Sequence, residues 1–262
     1  MRKIVLTAAL AAASGAAVPA AAQDAPFTGA RVDALLGYDN LKDGSDGETD
    51  GRDGVTYGAL VARVAQFADG LRAVGVKPGD RVGMLMLDTP DIVALHQAAM
   101  AVGAIAVAMS SRATPDELKH ILAVVHPAVI VVDREFAELA SGGIAAASPE
   151  TKLLYRDREL AAWKAGPAGA LKPVARQPDD PAFWVMTSGT TGVPKAVEHH
   201  HRNVGMSAEY YEQVLGTTNQ DRLFATSRFH FAYAIGNMFA ALRMGATNIL
   251  LERWATAESI AT

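Results

Sequence analysis

Four apolar runs, at residues 81–87, 104–109, 128–132 and 182–186, recur along the chain with helix-patterned segments between the first three of them. This alternation restricts the fold more than any single residue does. Short runs without polar alternation suit strands covered on both faces, and strand–helix–strand succession favours parallel β-α-β units. Thr56 is placed to cap a helix whose Leu60, Val61, Val64, Phe67, Leu71 and Val74 fall at three- and four-residue spacing, with Gly75 at its end. Residues 90–102 read as a second amphipathic segment. Thr114-Pro115-Asp116-Glu117 is a capping box with proline at the first helical position, opening a helix that stops before Pro127. Met84, Met86, Met100 and Met109 lie in these apolar stretches and read as core filler.

Composition narrows the class. With 262 residues, 50% hydrophobic and 20% charged, and a formal net charge of -4, the chain suits one or two globular domains and not a nucleic-acid partner. The absence of cysteine excludes disulfides, thiolate chemistry and cysteine metal sites. Residues 1–22 have the layout of a secretory signal: a basic head at Arg2-Lys3, an apolar body over 4–13, and Ala20-Ala21-Ala22 before Gln23. That body is too short for a stable membrane span. Residues 31–38 alternate in a strand-like way, and the Asp- and Gly-dense tract 39–54 reads as a solvated loop. Residues 165–181, rich in Pro and Gly, read as a surface crossing.

Straight after the fourth apolar run comes Thr187-Ser188-Gly189-Thr190-Thr191-Gly192-Val193-Pro194-Lys195. Glycines admit backbone amides close to an anion, hydroxyls add donors, and the lysine adds a point charge, which together suit a polyphosphate cradle. Ala196-Val197 follow, so the loop is expected between two strands. A Walker-type loop would need glycine before the lysine and Ser or Thr after it; here Pro194 and Ala196 stand there. His199-His200-His201 are adjacent, a spacing that does not converge on one ion, and no metal site is expected.

The loop resembles the phosphate-binding signature of the adenylate-forming superfamily of acyl-CoA and aryl-CoA synthetases, luciferases and peptide-synthetase adenylation domains. It departs from the signature at Ala196, where glycine is usual. The stretch from Thr56-Tyr57 to Gly75-Val76-Lys77-Pro78-Gly79-Asp80-Arg81-Val82 is similar to the opening of the large domain of such ligases. Ser227-Arg228-Phe229-His230-Phe231-Ala232-Tyr233-Ala234-Ile235-Gly236-Asn237 resembles their acyl-pocket motif, especially that of benzoate and other aryl-CoA ligases.

The resemblance implies an α/β fold: a partial large domain of the adenylate-forming type over 55–262, without its C-terminal half and small lysine-bearing domain. It also implies MgATP, coenzyme A and a small carboxylic acid, aromatic or medium-chain, as reaction partners. Thr187, Ser188, Gly189, Thr190, Thr191, Gly192 and Lys195 would hold phosphates, with Lys195 as the catalytic cation. Phe229, His230, Tyr233 and Gly236 would form the acid pocket, with His230 or Tyr233 orienting the carboxylate.

The later family signatures are absent from the sequence, so the chain alone is expected not to be a competent ligase. Two alternatives stand beside this: a non-catalytic nucleotide-binding remnant, and an envelope protein. The second arises because residues 1–54 resemble the start of a bacterial outer-membrane β-barrel protein, a signal-like segment over 1–22 followed by an acidic segment over 23–54. The ends conflict on location, since ATP and coenzyme A are cytoplasmic reagents whereas the leader points to the periplasm or outer membrane.

Overall fold

The computed structural model describes residues 54–187 and 194–253. The signal-like segment, the alternating stretch 31–38, all but the last residue of the acidic tract, and Ser188 to Gly192 lie outside them.

Local signals set the element ends. Helix α1 (Tyr57–Ala73) begins where Thr56 Oγ1 accepts the Ala59 N–H at 3.2 Å, and past its end Gly75 turns the chain with φ +93°. Strand β1 (Arg81–Leu85) leads to α2 (Pro90–Ala101), β2 (Ile105–Ala108), α3 (Pro115–Val125) and β3 (Val129–Val132). The capping box of α3 forms in full: Thr114 Oγ1 accepts the Glu117 N–H, and Glu117 accepts the Thr114 N–H at 2.8 Å. These hydrogen bonds hold the Glu117 carboxyl below the usual range.

Beyond β3 come a 3-10 turn (Arg134–Phe136), α4 (Ala137–Ala147), β4 (Lys152–Tyr155), a π turn (Arg156–Leu160) and α5 (Ala161–Ala165). Residues 166–180 have no helix or strand and none is buried, as a surface crossing requires. Strands β5 (Pro181–Thr187) and β6 (Lys195–His200) follow, then α6 (His201–Gln213), β7 (Arg222–Phe224), α7 (Ala232–Met244) and β8 (Thr247–Ile249).

Six strands make one sheet in the order β4-β3-β1-β2-β5-β6, parallel except for the antiparallel β5–β6 pair. A separate parallel pair joins β7 and β8. Alternation along each buried strand feeds two cores. Val82, Met84, Val129 and Val131 pack with α1 and α2, whereas Leu85, Ile130 and Val132 pack with α3 and α4. Parallel units covered on both faces are therefore the architecture, and all four core methionines are buried.

Helix α2 differs from its sequence reading. Every residue from Asp91 to Ala101 is buried, so it is an interior helix and not an amphipathic one. Its one carboxylate is compensated: Asp91 accepts from Arg63 at 2.9 Å and Lys164 at 2.7 Å. Closeness elsewhere is made by glycine. A Cβ on Gly70 of α1 would lie 2.1 Å from the Trp163 ring of α5.

Candidate nucleotide and acid site

Strands β5 and β6 close a hairpin around the phosphate-loop sequence. Their final pair is Thr187 opposite Lys195, and both residues are exposed. Ala196 pairs with Met186 in the ladder. Among the described residues other than glycine only His126 has positive φ, so the alanine in place of the usual glycine sits in a backbone that accepts a Cβ without strain. Ser188, Gly189, Thr190, Thr191 and Gly192 lie outside the described residues.

The aromatic segment splits by depth. Phe229 is fully buried; its N–H donates to Asp88 Oδ2 at 2.9 Å, and its ring meets that of His96 edge-on at 5.5 Å. Gly236 is also inside, where a Cβ would come within 3.3 Å of Ser207 Oγ on α6. Beside it Tyr211 of α6 donates to Asn237, fastening α6 to α7. Burial pushes the Tyr211 hydroxyl up to about 12, with Tyr233 and Tyr210 adding to it.

His230 and Tyr233 are set less deeply. His230 is half-buried, its ring 4.2 Å from that of Phe231, and burial, with the Arg228 charge second, pushes it down to about 4. It is neutral near pH 7 and so presents a hydrogen-bonding group, not a cation. Tyr233 is 58% exposed at the start of α7.

The structure adds two residues that sequence reasoning passed over. Asp88, just past β1, and Arg228 form a buried ion pair at 3.3 Å. Arg228 also donates to the carbonyls of Leu251 at 3.1 Å and Glu252 at 2.8 Å. Asp88, Thr226, Ser227, Arg228 and Leu251 line a small cleft between the end of β1 and the aromatic segment. In open α/β sheets ligands gather at the carboxyl ends of strands, which is where Asp88 stands. A pairing partner 140 residues away leaves no local pattern to read.

The three adjacent histidines have separate surroundings. His199 stacks on Phe183 at 4.6 Å, His200 faces Glu198 at 3.1 Å, and His201 is buried at the head of α6. Among the described residues no three His, Asp or Glu gather closely enough to hold a metal, and no helix is long and apolar enough to cross a membrane.

This fold and hairpin define the class: the N-terminal part of an adenylate-forming domain. The family described as AMP-binding enzyme matches residues 41–262, and the chain belongs to it. Similar curated proteins include the 3-hydroxybenzoate–CoA ligase of Aromatoleum sp. (strain CIB), 37% identical over 207 residues, covering 76% of this chain and 40% of that protein. The 3-hydroxybenzoate–CoA/4-hydroxybenzoate–CoA ligase of Thauera aromatica is 33% identical, covering 79% of this chain and 41% of that one. The chain thus spans about two-fifths of the length of these relatives. Among solved structures, a benzoate CoA ligase from Burkholderia xenovorans LB400 matches with a TM-score of 0.78 at 27% identity, over 88% of this chain and 47% of that one.

Proposed function

We propose that this chain supplies the phosphate-handling and acid-facing parts of an aryl-CoA ligase, which activates an aromatic carboxylate with ATP and passes the acyl group to coenzyme A. The β5–β6 hairpin carries this reading, because it ends on an exposed threonine opposite an exposed lysine with the hydroxyl- and glycine-rich loop between them. The hydroxybenzoate– and benzoate–CoA ligases among its relatives support an aromatic acid.

In the first half-reaction a carboxylate oxygen attacks the α-phosphorus of ATP and pyrophosphate leaves. In the second, the thiol sulfur of coenzyme A attacks the acyl carbon and AMP leaves, the thiol proton passing to solvent. Little covalent help is needed in the first step, so positioning and charge dominate. Thr187, Ser188, Gly189, Thr190, Thr191 and Gly192 embrace the outer phosphates, and Lys195 offsets charge on the departing pyrophosphate. His230 or Tyr233 orients the carboxylate, while Phe229 and Gly236 set the backbone beneath them. Magnesium, implied by the family resemblance, would arrive bound to the phosphates and help neutralise them. On this reading residues 55–262 are the ligase body, and its chemistry belongs where ATP and coenzyme A are available.

Exchange of labelled pyrophosphate into ATP, driven by added acid, tests the reading. In a complete ligase that contains this chain, benzoate and the hydroxybenzoates are expected to support exchange; failure of every aromatic acid to support it would refute the aromatic assignment. In that complete enzyme Lys195→Ala is expected to slow adenylation on the order of a hundredfold. Thioester formation from supplied acyl-adenylate should be far less affected, and equal losses in both steps would remove Lys195 from its role.

A further inference from the structure

We infer that Asp88 and Arg228 are positioning residues for the aromatic acid: one buried ion pair fixes the backbone that presents His230 and Tyr233. The inference rests on the acid-activating reading above.

Each member of the pair is used at more than one point. The Asp88 carboxylate faces the Arg228 guanidinium with Oδ1 and accepts the Phe229 N–H with Oδ2, so it holds both a side chain and the next residue's backbone. The guanidinium reaches Asp88 and the carbonyls of Leu251 and Glu252. Three chain segments therefore meet on two side chains, which are 7% and 2% exposed.

The foundation of the pair is rigid. Leu87, beside Asp88, donates its N–H to Asp133 Oδ2 at 2.6 Å, and Asp133 follows β3 directly. Arg156, beyond β4, meets the other Asp133 oxygen. Asp88 is thus anchored by the ends of adjacent strands. From Arg228 the path outward is short: Phe231 N–H donates to the Arg228 carbonyl at 2.9 Å, and Ile235 N–H donates to the Phe231 carbonyl at 3.2 Å. His230 lies inside the first of these turns and Tyr233 inside the second.

Stability alone does not account for the pair. Burial pushes Asp88 up to about 6 despite Arg228 and the Phe229 N–H, and burial also lowers Arg228. Desolvation is the largest influence on both sides, so the mutual attraction of the two charges is weak grounds for their presence. What an apolar pair cannot do is hold a peptide N–H and two carbonyls in fixed places. Lysine cannot either, since its ammonium is a single point and three separated acceptors need the guanidinium fork.

The test compares Asp88→Asn, Arg228→Lys and their double variant with wild type, measuring Kd for 3-hydroxybenzoate and for ATP separately by calorimetry, alongside thermal melting. Each single change is expected to weaken acid binding about tenfold or more while ATP affinity stays within about twofold. The double variant should lose no more than the worse single, because the pair acts as one unit. The double exchange Asp88→Leu with Arg228→Met guards against misfolding: it should keep a cooperative melt, lowered by the loss of partners for the Phe229 N–H and the two carbonyls, and still bind acid weakly. Equal weakening of acid and ATP, or acid binding unchanged while wild type binds, would overturn the positioning role alone. A wild-type protein that binds ATP but no aromatic carboxylate would overturn the acid-activating reading and this role together.

Discussion

Strands β1 to β3 and the β5–β6 hairpin share one sheet but are built on opposite terms. Val82 to Leu85, all of β2 and all of β3 are buried, whereas no residue of β6 is. In the first region side chains are chosen for volume; in the second, β5 still buries Ala182, Phe183 and Val185, but the side chains of β6 and of Thr187 remain in contact with water, where a phosphate or carboxylate could reach them. Stability and chemistry are therefore carried by different strands and should respond to different substitutions.

The largest effect expected from that division lies in the buried half. Leu122 of α3 is fully buried against β3 and the face of Gly143, so Leu122→Ala should cost roughly 2–5 kcal/mol in denaturant unfolding. A loss under about 1 kcal/mol would mean that this core is looser than its packing indicates.

An intermediate effect is expected from His96, a fully buried ring among those of Phe183, Phe229 and Phe239. Burial pushes it down to about 3 from an ordinary 6.5. As pH falls between those values the unfolded chain takes up a proton that the folded chain refuses. The stability it contributes above pH 6.5 is accordingly lost on acidification. Asp88, raised to about 6, acts in the opposite sense between about 6 and 3.8, where acidification favours the fold. His96→Leu should therefore flatten the fall of melting temperature from pH 6.5 toward 4; an unchanged profile would show that other groups control acid unfolding.

The smallest effect sharpens the comparison most. Lys195→Ala, so damaging to adenylation on the reading above, should alter unfolding free energy by no more than about 0.5 kcal/mol because the side chain is exposed. A larger loss would tie the hairpin to the stability of the sheet.

What could be read from the sequence depended on how local its cause was. The Thr56 and Thr114 caps, the Gly75 stop and the hairpin around the phosphate loop each follow from a few adjacent residues, and all were foreseen. The parallel sheet was foreseen from the spacing of its apolar runs. Strand β4 and helix α4 were not, since Lys152–Tyr155 is short and half-exposed and Ala137–Ala147 consists mostly of small residues without a strong apolar stripe. The buried nature of α2 was masked by Asp91, His96 and Gln97, whose polarity reads as a wet face until Arg63 and Lys164 are seen to come from elsewhere. Phe229, His230, Tyr233 and Gly236 stand out in the sequence as a candidate pocket motif, but the depth of each does not follow from their order along the chain. Asp88 was invisible for a simpler reason: Asp-Thr-Pro before a helix is an ordinary turn, and its role exists only once Arg228 arrives.

The order of the sheet also dictates how such a chain must assemble. β1 lies between β2 and β3, the next two strands in sequence, whereas Phe183 of β5 must travel back past β3 and β4 to join Ala106 of β2. Closing so long an intervening loop costs entropy before any contact rewards it, which makes that docking a slow step. The β5–β6 hairpin, by contrast, is local and can zip rapidly by itself. The contrast in sequence separation thus sets the local closure of the hairpin apart from the long-range docking that joins it to the sheet.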